Sequence, residues 1–228
     1  MDLDNVYITS DLHFWHRNIC KYCENSRGRW FTEDGSKLAE MNEYILKQFD
    51  TLPAGCTVIN LGDIYLNGSK GFDDIKVLVD RMKANGKKLW LVLGNHDRTV
   101  GRYMKDRRGQ SAVDIYREMG FDRVFEFPIM IDDTHLLSHE PVYLGLNSPI
   151  KNLFGHVHDT DIDVDYFNRE CENWAMMQRV KQHPELTAQK NLDINTDVTR
   201  NDKTINLKNY VNVCWDKLQN IVPIKEVM

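Results

Sequence analysis

Short apolar runs and amphipathic segments alternate regularly through the first half of the chain. The runs VYITS, CTVINLGD and KKLWLVLGNHD are predicted strands, because each is short, apolar and followed by polar residues. Between them, SKLAEMNEYILKQFD and FDDIKVLVDRMKANG carry apolar residues at helical spacing, with Gly86 as the predicted C-cap of the second helix. The order strand, helix, strand, helix, strand predicts a parallel sheet with crossover helices.

The second half of the chain follows a different pattern. After a short helix near SAVDIYREMG, strands are predicted in RVFEFPIMI, THLLSHEP, KNLFGHVHD and NYVNVCWDKLQNIVPI, and their close succession favours an antiparallel second sheet. Residues 159–209 are polar, rich in Asn, Asp and Lys, and lack clear strand alternation. We interpret them as an insertion into a single domain that spans residues 1–228.

Length and composition limit the classes of protein to consider. The chain has 228 residues, 42% of them hydrophobic and 28% charged, which is typical of a soluble globular protein with a full core. With a net charge of -5, the protein has no overall basic field that would attract long nucleic acid. A metal site would still supply local positive charge for a short nucleic-acid substrate. The N-terminal segment lacks the features of a signal peptide, and no apolar run approaches the roughly 20 residues of a membrane helix. We therefore expect a cytoplasmic protein without a membrane partner.

The five cysteines include one closely spaced pair, Cys20 and Cys23. Such a pair is compatible with half of a zinc site or with a redox role, but Cys56, Cys171 and Cys214 are isolated and complete no four-thiolate set. Reduced, partly buried thiols are the favoured interpretation.

Five apolar runs end in clusters of acids, amides or histidines: SDLH, LGD, LGNHD, LLSHEP and FGHVHD. In parallel sheets, loops at the carboxyl ends of strands meet, so these clusters are predicted to share one site. Asp11 and His13 would point to the same face if strand geometry continued through them. Each cluster alone also fits a turn, an N-cap or a satisfied histidine. Their combination indicates a metal centre.

The ligand types restrict the metal. Imidazole, carboxylate and amide groups without thiolate suit Mn, Fe, Zn, Ni or Co better than calcium or an all-sulfur zinc site. Seven candidate ligands exceed the needs of one tetrahedral ion and suit two ions that share a bridging carboxylate. The candidates are Asp11, His13, Asp63, Asn95, His139, His156 and His158.

These blocks, in this order, resemble the calcineurin-like metallophosphoesterase family over roughly residues 6–158. The blocks are Asp11-x-His13, Gly62-Asp63 followed by Gly68, Gly94-Asn95-His96-Asp97, His139, and Gly155-His156-x-His158. The opening SDLHFWHRN further resembles a small bacterial and phage branch of that family. The resemblance implies an α/β fold, a four-layer α/β/β/α sandwich, here with an insertion in the C-terminal half.

The resemblance also implies individual roles. Asp11, His13 and His158 would hold the first ion, and Asn95, His139 and His156 the second. Asp63 would bridge both, while His96 would face the substrate phosphate and the leaving oxygen. His16 and Arg98 are candidates for binding phosphate. Asp97 either orients His96 or caps a turn.

The implied activity is dinuclear metal-dependent phosphoester hydrolysis, with Mn favoured, attack by a metal-activated hydroxide, and His96 as general acid. We expect a small phosphorylated substrate, such as a nucleotide or a short oligonucleotide. A phosphodiester is favoured over a monoester, because few basic residues flank the ligand blocks. A phosphomonoesterase or nucleotide pyrophosphatase, a metal-dependent nuclease and a catalytically silent interaction scaffold are the alternatives, and a homo-oligomer stays open. Tyr166, Phe167 and Trp174 of the insertion are expected either to stack on a base or to pack against the core.

Overall fold

Two β-sheets pack face to face in the computed structural model, which describes residues 3–66, 71–104, 107–144, 148–162, 167 and 206–228. The first sheet has the strand order β4-β3-β2-β1-β9, and the second has the order β5-β6-β7-β8. The strands are β1 (Val6–Thr9), β2 (Thr57–Asn60), β3 (Lys88–Val92), β4 (Arg123–Phe125), β5 (Ile129–Met130), β6 (His135–Ser138), β7 (Lys151–Phe154), β8 (Tyr210–Asn212) and β9 (Val222–Pro223).

The helices provide apolar faces that cover the first sheet. They are α1 (Ile19–Tyr22), α2 (Glu24–Arg27), α3 (Leu38–Thr51), α4 (Phe72–Met82), α5 (Val100–Tyr103), α6 (Ala112–Met119) and α7 (Trp215–Leu218). Helices α3 and α4 confirm the two helices predicted from apolar spacing. The predicted cap is wrong, because α4 ends at Met82 with Lys83 as its C-cap. Gly86 instead lies in a separate 3-10 turn, Ala84–Gly86, that leads into β3.

The first sheet confirms the predicted parallel order. Strands β1 to β4 run parallel, and β9 pairs antiparallel with β1. Thr9 of β1 lies beside Asn60 of β2, and Asn60 lies beside Leu91 of β3. The carboxyl ends of these three strands are therefore level, and the loops that follow them meet at one edge.

The second sheet differs from the prediction, because only β5 and β6 are antiparallel. Strands β6, β7 and β8 are parallel, with Ser138 beside Phe154 and Phe154 beside Asn212. Long connections after β6 and β7 return the chain to the starting end of the sheet, which parallel pairing requires.

Two segments that were each predicted as one strand form several separate elements. RVFEFPIMI forms β4 in the first sheet and β5 in the second. NYVNVCWDKLQNIVPI contains β8, helix α7 and β9, and β9 returns to the first sheet.

Two apolar cores separate the layers. Between the sheets lie Val6, Ile8, Ile59, Leu61, Val92, Leu137, Leu153, Val213 and Ile224. A larger core lies between the first sheet and helices α1 to α7. This arrangement confirms a mixed α/β sandwich with two parallel-rich sheets. Most of the predicted insertion lies outside the described residues. Among the described residues, no helix is both long and apolar enough to cross a membrane.

Candidate metal centre

The loops that follow β1, β2, β3, β6 and β7 converge at the carboxyl edge of the two sheets. They bring together the seven side chains predicted as metal ligands: Asp11, His13, Asp63, Asn95, His139, His156 and His158. The convergence follows from strand direction, because β1 to β3 are parallel in one sheet and β6 and β7 in the other. Gly68, which belongs to the second block of the resemblance, lies outside the described part of the chain.

The backbone at these loops is left-handed, and strand geometry does not continue through Asp11 and His13. Their φ angles are 57° and 48°, so the expected alternation is wrong although both side chains reach the same centre. Asp63, His156 and His158 also have positive φ, at 53°, 73° and 55°. Such conformations cost of the order of 1–3 kcal/mol each outside glycine and cluster at functional sites. Five of them at one edge of the sheets are typical of a functional site.

The first ligand cluster consists of Asp11, His13 and His158. Asp11 Oδ1 lies 3.6 Å from His13 Nε2 and 4.0 Å from His158 Nε2. Asp11 Oδ1 and His13 Nε2 are buried and have no hydrogen-bond partner. These separations are too long for hydrogen bonds. They are, however, the distances expected between two ligand atoms that each lie about 2.1 Å from the same metal ion. A cation between these atoms would satisfy both orphaned groups, so the residues fit a metal ion.

The second ligand cluster surrounds His139 Nε2. The Nδ1 of His139 donates to the Leu61 carbonyl at 2.8 Å, which leaves Nε2 with its lone pair. Asn95 Oδ1 lies 2.9 Å and His156 Nδ1 3.2 Å from that nitrogen. Amide oxygen and imidazole nitrogen thus converge as a second donor set.

Asp63 lies between the clusters. Its Oδ2 is 3.8 Å from His13 Nε2 and 3.5 Å from His139 Nε2, while its Oδ1 accepts a hydrogen bond from the His96 amide at 3.0 Å. Burial and the nearby carboxylates of Asp97 and Asp11 raise the pKa of Asp63 well above its usual value. Divalent cations would offset this crowding of negative charge, and the position of Oδ2 suits a bridging ligand.

Burial favours the neutral form of His13 and His156, which is the form of imidazole that binds metals. It lowers the pKa of His13 to about 3 and that of His156 below its usual value. Burial raises the pKa of Asp11, but the imidazoles of His13, His139 and His158 outweigh it and hold that pKa well below its usual range. The centre therefore combines an Asp11 carboxylate anion with neutral nitrogen donors from His13 and His156.

The three remaining predicted site residues lie differently. His96 is at the open side, with 35% of its side chain exposed and Nε2 3.7 Å from Asp63 Oδ2. The His16 ring stands beside His13, with the two Nδ1 atoms 3.3 Å apart, and its centroid is 6.3 Å from that of His96. Arg98 is exposed, and its guanidinium donates to the Glu126 carbonyl at 3.2 Å. The structure thus places His96 and His16 together at the centre. The Arg98 guanidinium is instead hydrogen-bonded to the loop that contains Glu126.

Asp97 joins the loops that follow β2 and β3. It accepts hydrogen bonds from the amides of Asp63 at 2.7 Å and Gly94 at 2.9 Å, and from the Tyr116 hydroxyl at 2.6 Å. Its two oxygens are therefore engaged in holding loop backbone, which is the turn-capping alternative and not the orientation of His96.

The cysteine pair consists of free, buried thiols, as expected. Cys20 donates to the sulfur of Met41 at 3.5 Å. Burial raises the pKa of both Cys20 and Cys23. Cys171 lies outside the described residues.

Arg27 and Asp216 lie behind the first cluster, and the sequence analysis did not single them out. Asp216 Oδ2 is 2.8 Å from His158 Nδ1, and the Arg27 guanidinium donates to both Asp216 oxygens at 2.6 and 3.0 Å. Burial lowers the pKa of His158, but the hydrogen bond to Asp216 outweighs it and raises that pKa. The only available signal was an acid directly after the apolar residues Val213, Cys214 and Trp215.

One aromatic residue of the predicted insertion is described, Phe167. Its side chain is buried and its ring packs on Tyr143 and Tyr210, at centroid distances of 6.0 and 4.9 Å. For Phe167 the packing alternative holds, whereas Tyr166 and Trp174 lie outside the described residues.

The fold and the two donor clusters define an α/β protein with a candidate metal centre, and comparison with known proteins assigns the family. The calcineurin-like phosphoesterase family matches residues 5–195, and the chain belongs to that family. The family is one of metal-dependent phosphoester hydrolases, and two groups described above, Asp11 with His13 and His158 and Asp11 with Asp63 and His139, are candidates to hold a metal ion.

Two similar proteins carry no functional name. An uncharacterized protein of Methanocaldococcus jannaschii is 29% identical over 99 residues, which is 43% of this chain and 49% of that protein. The chain thus matches about half the length of this relative. A crystal structure of a protein of unknown function from Aquifex aeolicus has a TM-score of 0.51 at 20% identity, covering 97% of this chain and 96% of the other. It supports the fold alone.

Proposed function

We propose that this protein is a dinuclear phosphodiesterase that hydrolyses a nucleotide-type phosphodiester in the cytoplasm, with Mn²⁺ as the favoured ion. The observation that carries the proposal is the pair of donor clusters on either side of Asp63 Oδ2, one with two orphaned buried donors. When bound, two divalent ions would neutralise phosphate oxygens and lower the pKa of a water molecule. Asp11, His13 and His158 would hold one ion, Asn95, His139 and His156 the other, and Asp63 both.

His96 is the proposed general acid. Its imidazole is the half-exposed one beside the bridging carboxylate, where a substrate phosphate can enter from solvent. Burial lowers the pKa of His96, and the negative charge of a bound phosphate would favour its imidazolium form, which is the form that donates a proton to the leaving oxygen. His16, adjacent to His13 and facing His96, is the proposed second contact to the phosphate.

The shortage of available basic side chains favours a diester. Arg17 and Arg98 flank the ligand blocks, but their guanidiniums donate to the carbonyls of Glu33 and Glu126. Arg27 is fully buried behind the first cluster. A monoester dianion needs more positive charge than a diester, which carries one negative charge per phosphate.

An exposed aromatic ring favours a substrate with a base or aryl arm. Tyr22 is 69% exposed, and its ring stands edge-on to His16 at a centroid distance of 6.4 Å. Aromatic rings at a site rim stack on bases of any sequence. Phe167 is unavailable for this role, since it is packed under Tyr143 and Tyr210.

The proposal is tested by kcat/KM for the Mn²⁺-loaded protein on bis(p-nitrophenyl) phosphate, p-nitrophenyl phosphate and the p-nitrophenyl ester of thymidine 5′-phosphate. We expect the two diesters to exceed the monoester, and the nucleoside ester to have the lower KM of the two. The matched control is Asp63→Ala, which should abolish all three activities. A preference for the monoester would identify a phosphomonoesterase instead, and turnover that survives in Asp63→Ala would indicate a contaminating enzyme.

The role of residues 159–209 in substrate choice is a separate part of the proposal. The segment begins directly after His158, so its first residues start at the rim of the centre. Replacing it with a Gly-Ser turn should change the ranking of nucleotide substrates while both ions stay bound. An unchanged ranking in a folded, metal-loaded deletion would contradict this part alone.

A further inference from the structure

We infer that Arg27 and Asp216 are positioning residues. Together they form one buried ion pair, and this pair holds the first ligand cluster at two places, the backbone at Asp11 and the imidazole of His158. This inference rests on the proposed metal centre, but it assigns a role to residues that contact neither substrate nor metal. Arg27 is fully buried, and Asp216 is nearly so. They are separated by 189 positions, so only the tertiary structure brings them together.

The Asp216 end determines which nitrogen of His158 is available. Its Oδ2 accepts from His158 Nδ1 at 2.8 Å, and a carboxylate oxygen only accepts, so Nδ1 carries the proton. His158 Nε2 consequently presents its lone pair toward Asp11 Oδ1, 4.0 Å away. A carboxylate behind a ligating imidazole fixes the tautomer and raises the basicity of the ligand.

The Arg27 end fixes the backbone that carries the other two ligands. One guanidinium nitrogen donates to the Asp11 carbonyl at 2.6 Å and another to the Leu12 carbonyl at 2.8 Å. This is the stretch in which Asp11 and His13 adopt left-handed conformations. The guanidinium thus offsets the cost of a strained loop while its remaining donors hold Asp216.

Stability alone does not account for this arrangement. Replacing a buried ion pair by apolar residues of similar volume is often neutral or stabilising, because removing two charges from water is costly. Here, beyond its own ion pair, Asp216 accepts from the ligand His158, and Arg27 donates to the carbonyls of Asp11 and Leu12. The additional contact from Ser26 Oγ to Asp216 Oδ1, at 2.6 Å, leaves Oδ2 to His158 and Arg27.

The same residues do not form a separate cation site. Cys23, His158 and Asp216 offer donor atoms close to one another. However, the Arg27 guanidinium already occupies the Asp216 carboxylate, and its positive charge would repel a second cation there. Burial also keeps the Cys23 thiol protonated by raising its pKa.

The first test is calorimetric titration of the metal-free protein with Mn²⁺. Asp216→Asn should weaken one of the two ions by about 10–100-fold, the usual effect of removing such an outer partner, and leave the other within about threefold. Arg27→Lys keeps the charge but loses the planar fork, and it should weaken the same ion. The control is Val79→Ala in α4, a fully buried residue that lies next to Gly120 and is none of the proposed ligands, which should lower thermal stability without changing either affinity.

The second test is spectroscopic and uses the wild-type protein loaded with Zn²⁺. The His158 Nδ1 proton should appear as a downfield, slowly exchanging NMR signal, with Nε2 as the metal-bound nitrogen. The signal should disappear in Asp216→Leu.

Unchanged Mn²⁺ affinities in folded Asp216→Asn would overturn the inference, as would binding of Zn²⁺ through Nδ1 of His158 in the wild type. The wild-type spectrum decides the matter even if a variant fails to fold. Both readouts are independent of turnover, so a failed phosphodiesterase assay leaves them interpretable.

Discussion

Gly155→Ala should damage the metal centre through a single methyl group. A Cβ at this position would lie 2.1 Å from Ser10 Oγ and 2.5 Å from Asp11 Oδ2. Gly155 does not adopt a positive φ, so alanine is compatible with the backbone and the effect is purely steric. The Asp11 carboxylate has little freedom to retreat, because its Oδ2 accepts from the His156 amide at 2.8 Å and the Cys214 thiol at 3.2 Å.

The magnitude follows from the distances. Carbon and oxygen atoms are not found this close, so Ser10 and Asp11 must move by several tenths of an ångström or more. Overpacking of this kind costs about 1–3 kcal/mol, which corresponds to a fall of roughly 2–12 °C in Tm for a domain of this size. Metal–ligand distances tolerate only about 0.2 Å, so the first ion should bind at least roughly tenfold more weakly.

Calorimetry with and without Mn²⁺, together with elemental analysis after dialysis, measures both effects. Gly71→Ala is the matched control, since a Cβ there meets nothing within 4 Å and its φ of -81° suits alanine. A Gly155→Ala protein with wild-type Tm and two tightly bound ions would refute the reasoning from close approach.

Three further variants test other parts of the centre. Asp63→Ala should weaken both ions, because its Oδ2 faces both clusters; elemental analysis that finds one ion at wild-type affinity would contradict a bridge. His96→Asn should keep both ions while kcat falls roughly 100-fold or more, and loss of metal would instead make His96 a ligand. Tyr116→Phe removes the hydroxyl that donates to Asp97 and should lower the free energy of unfolding by about 1.5–3 kcal/mol in urea titrations with metal content preserved; an unchanged midpoint would show that this hydrogen bond contributes nothing.

The sequence alone identified the residues that converge on the centre. Apolar periodicity marks where strands end, and the chemistry of the following residues marks a metal site, because both signals are local in the chain. The parallel order of the first sheet could be predicted as well, since helices such as α3 and α4 lie between its strands. The second sheet could not, because its connections do not reveal in which direction each strand returns.

The tertiary structure decided how the ligands are held. Asp11 and His13 reach one centre through left-handed backbone, supported by hydrogen bonds from their amides to the carbonyls of Gly62 and Asp63. These contacts come from the loop that follows β2, about 50 residues along the chain, so no local pattern encodes them. The Arg27–Asp216 pair is the extreme case, because a lone Arg and a lone Asp look like surface charges until packing buries them together. Residue types and strand order therefore specify which groups form the site, whereas long-range packing alone specifies their backbone conformation and their outer partners.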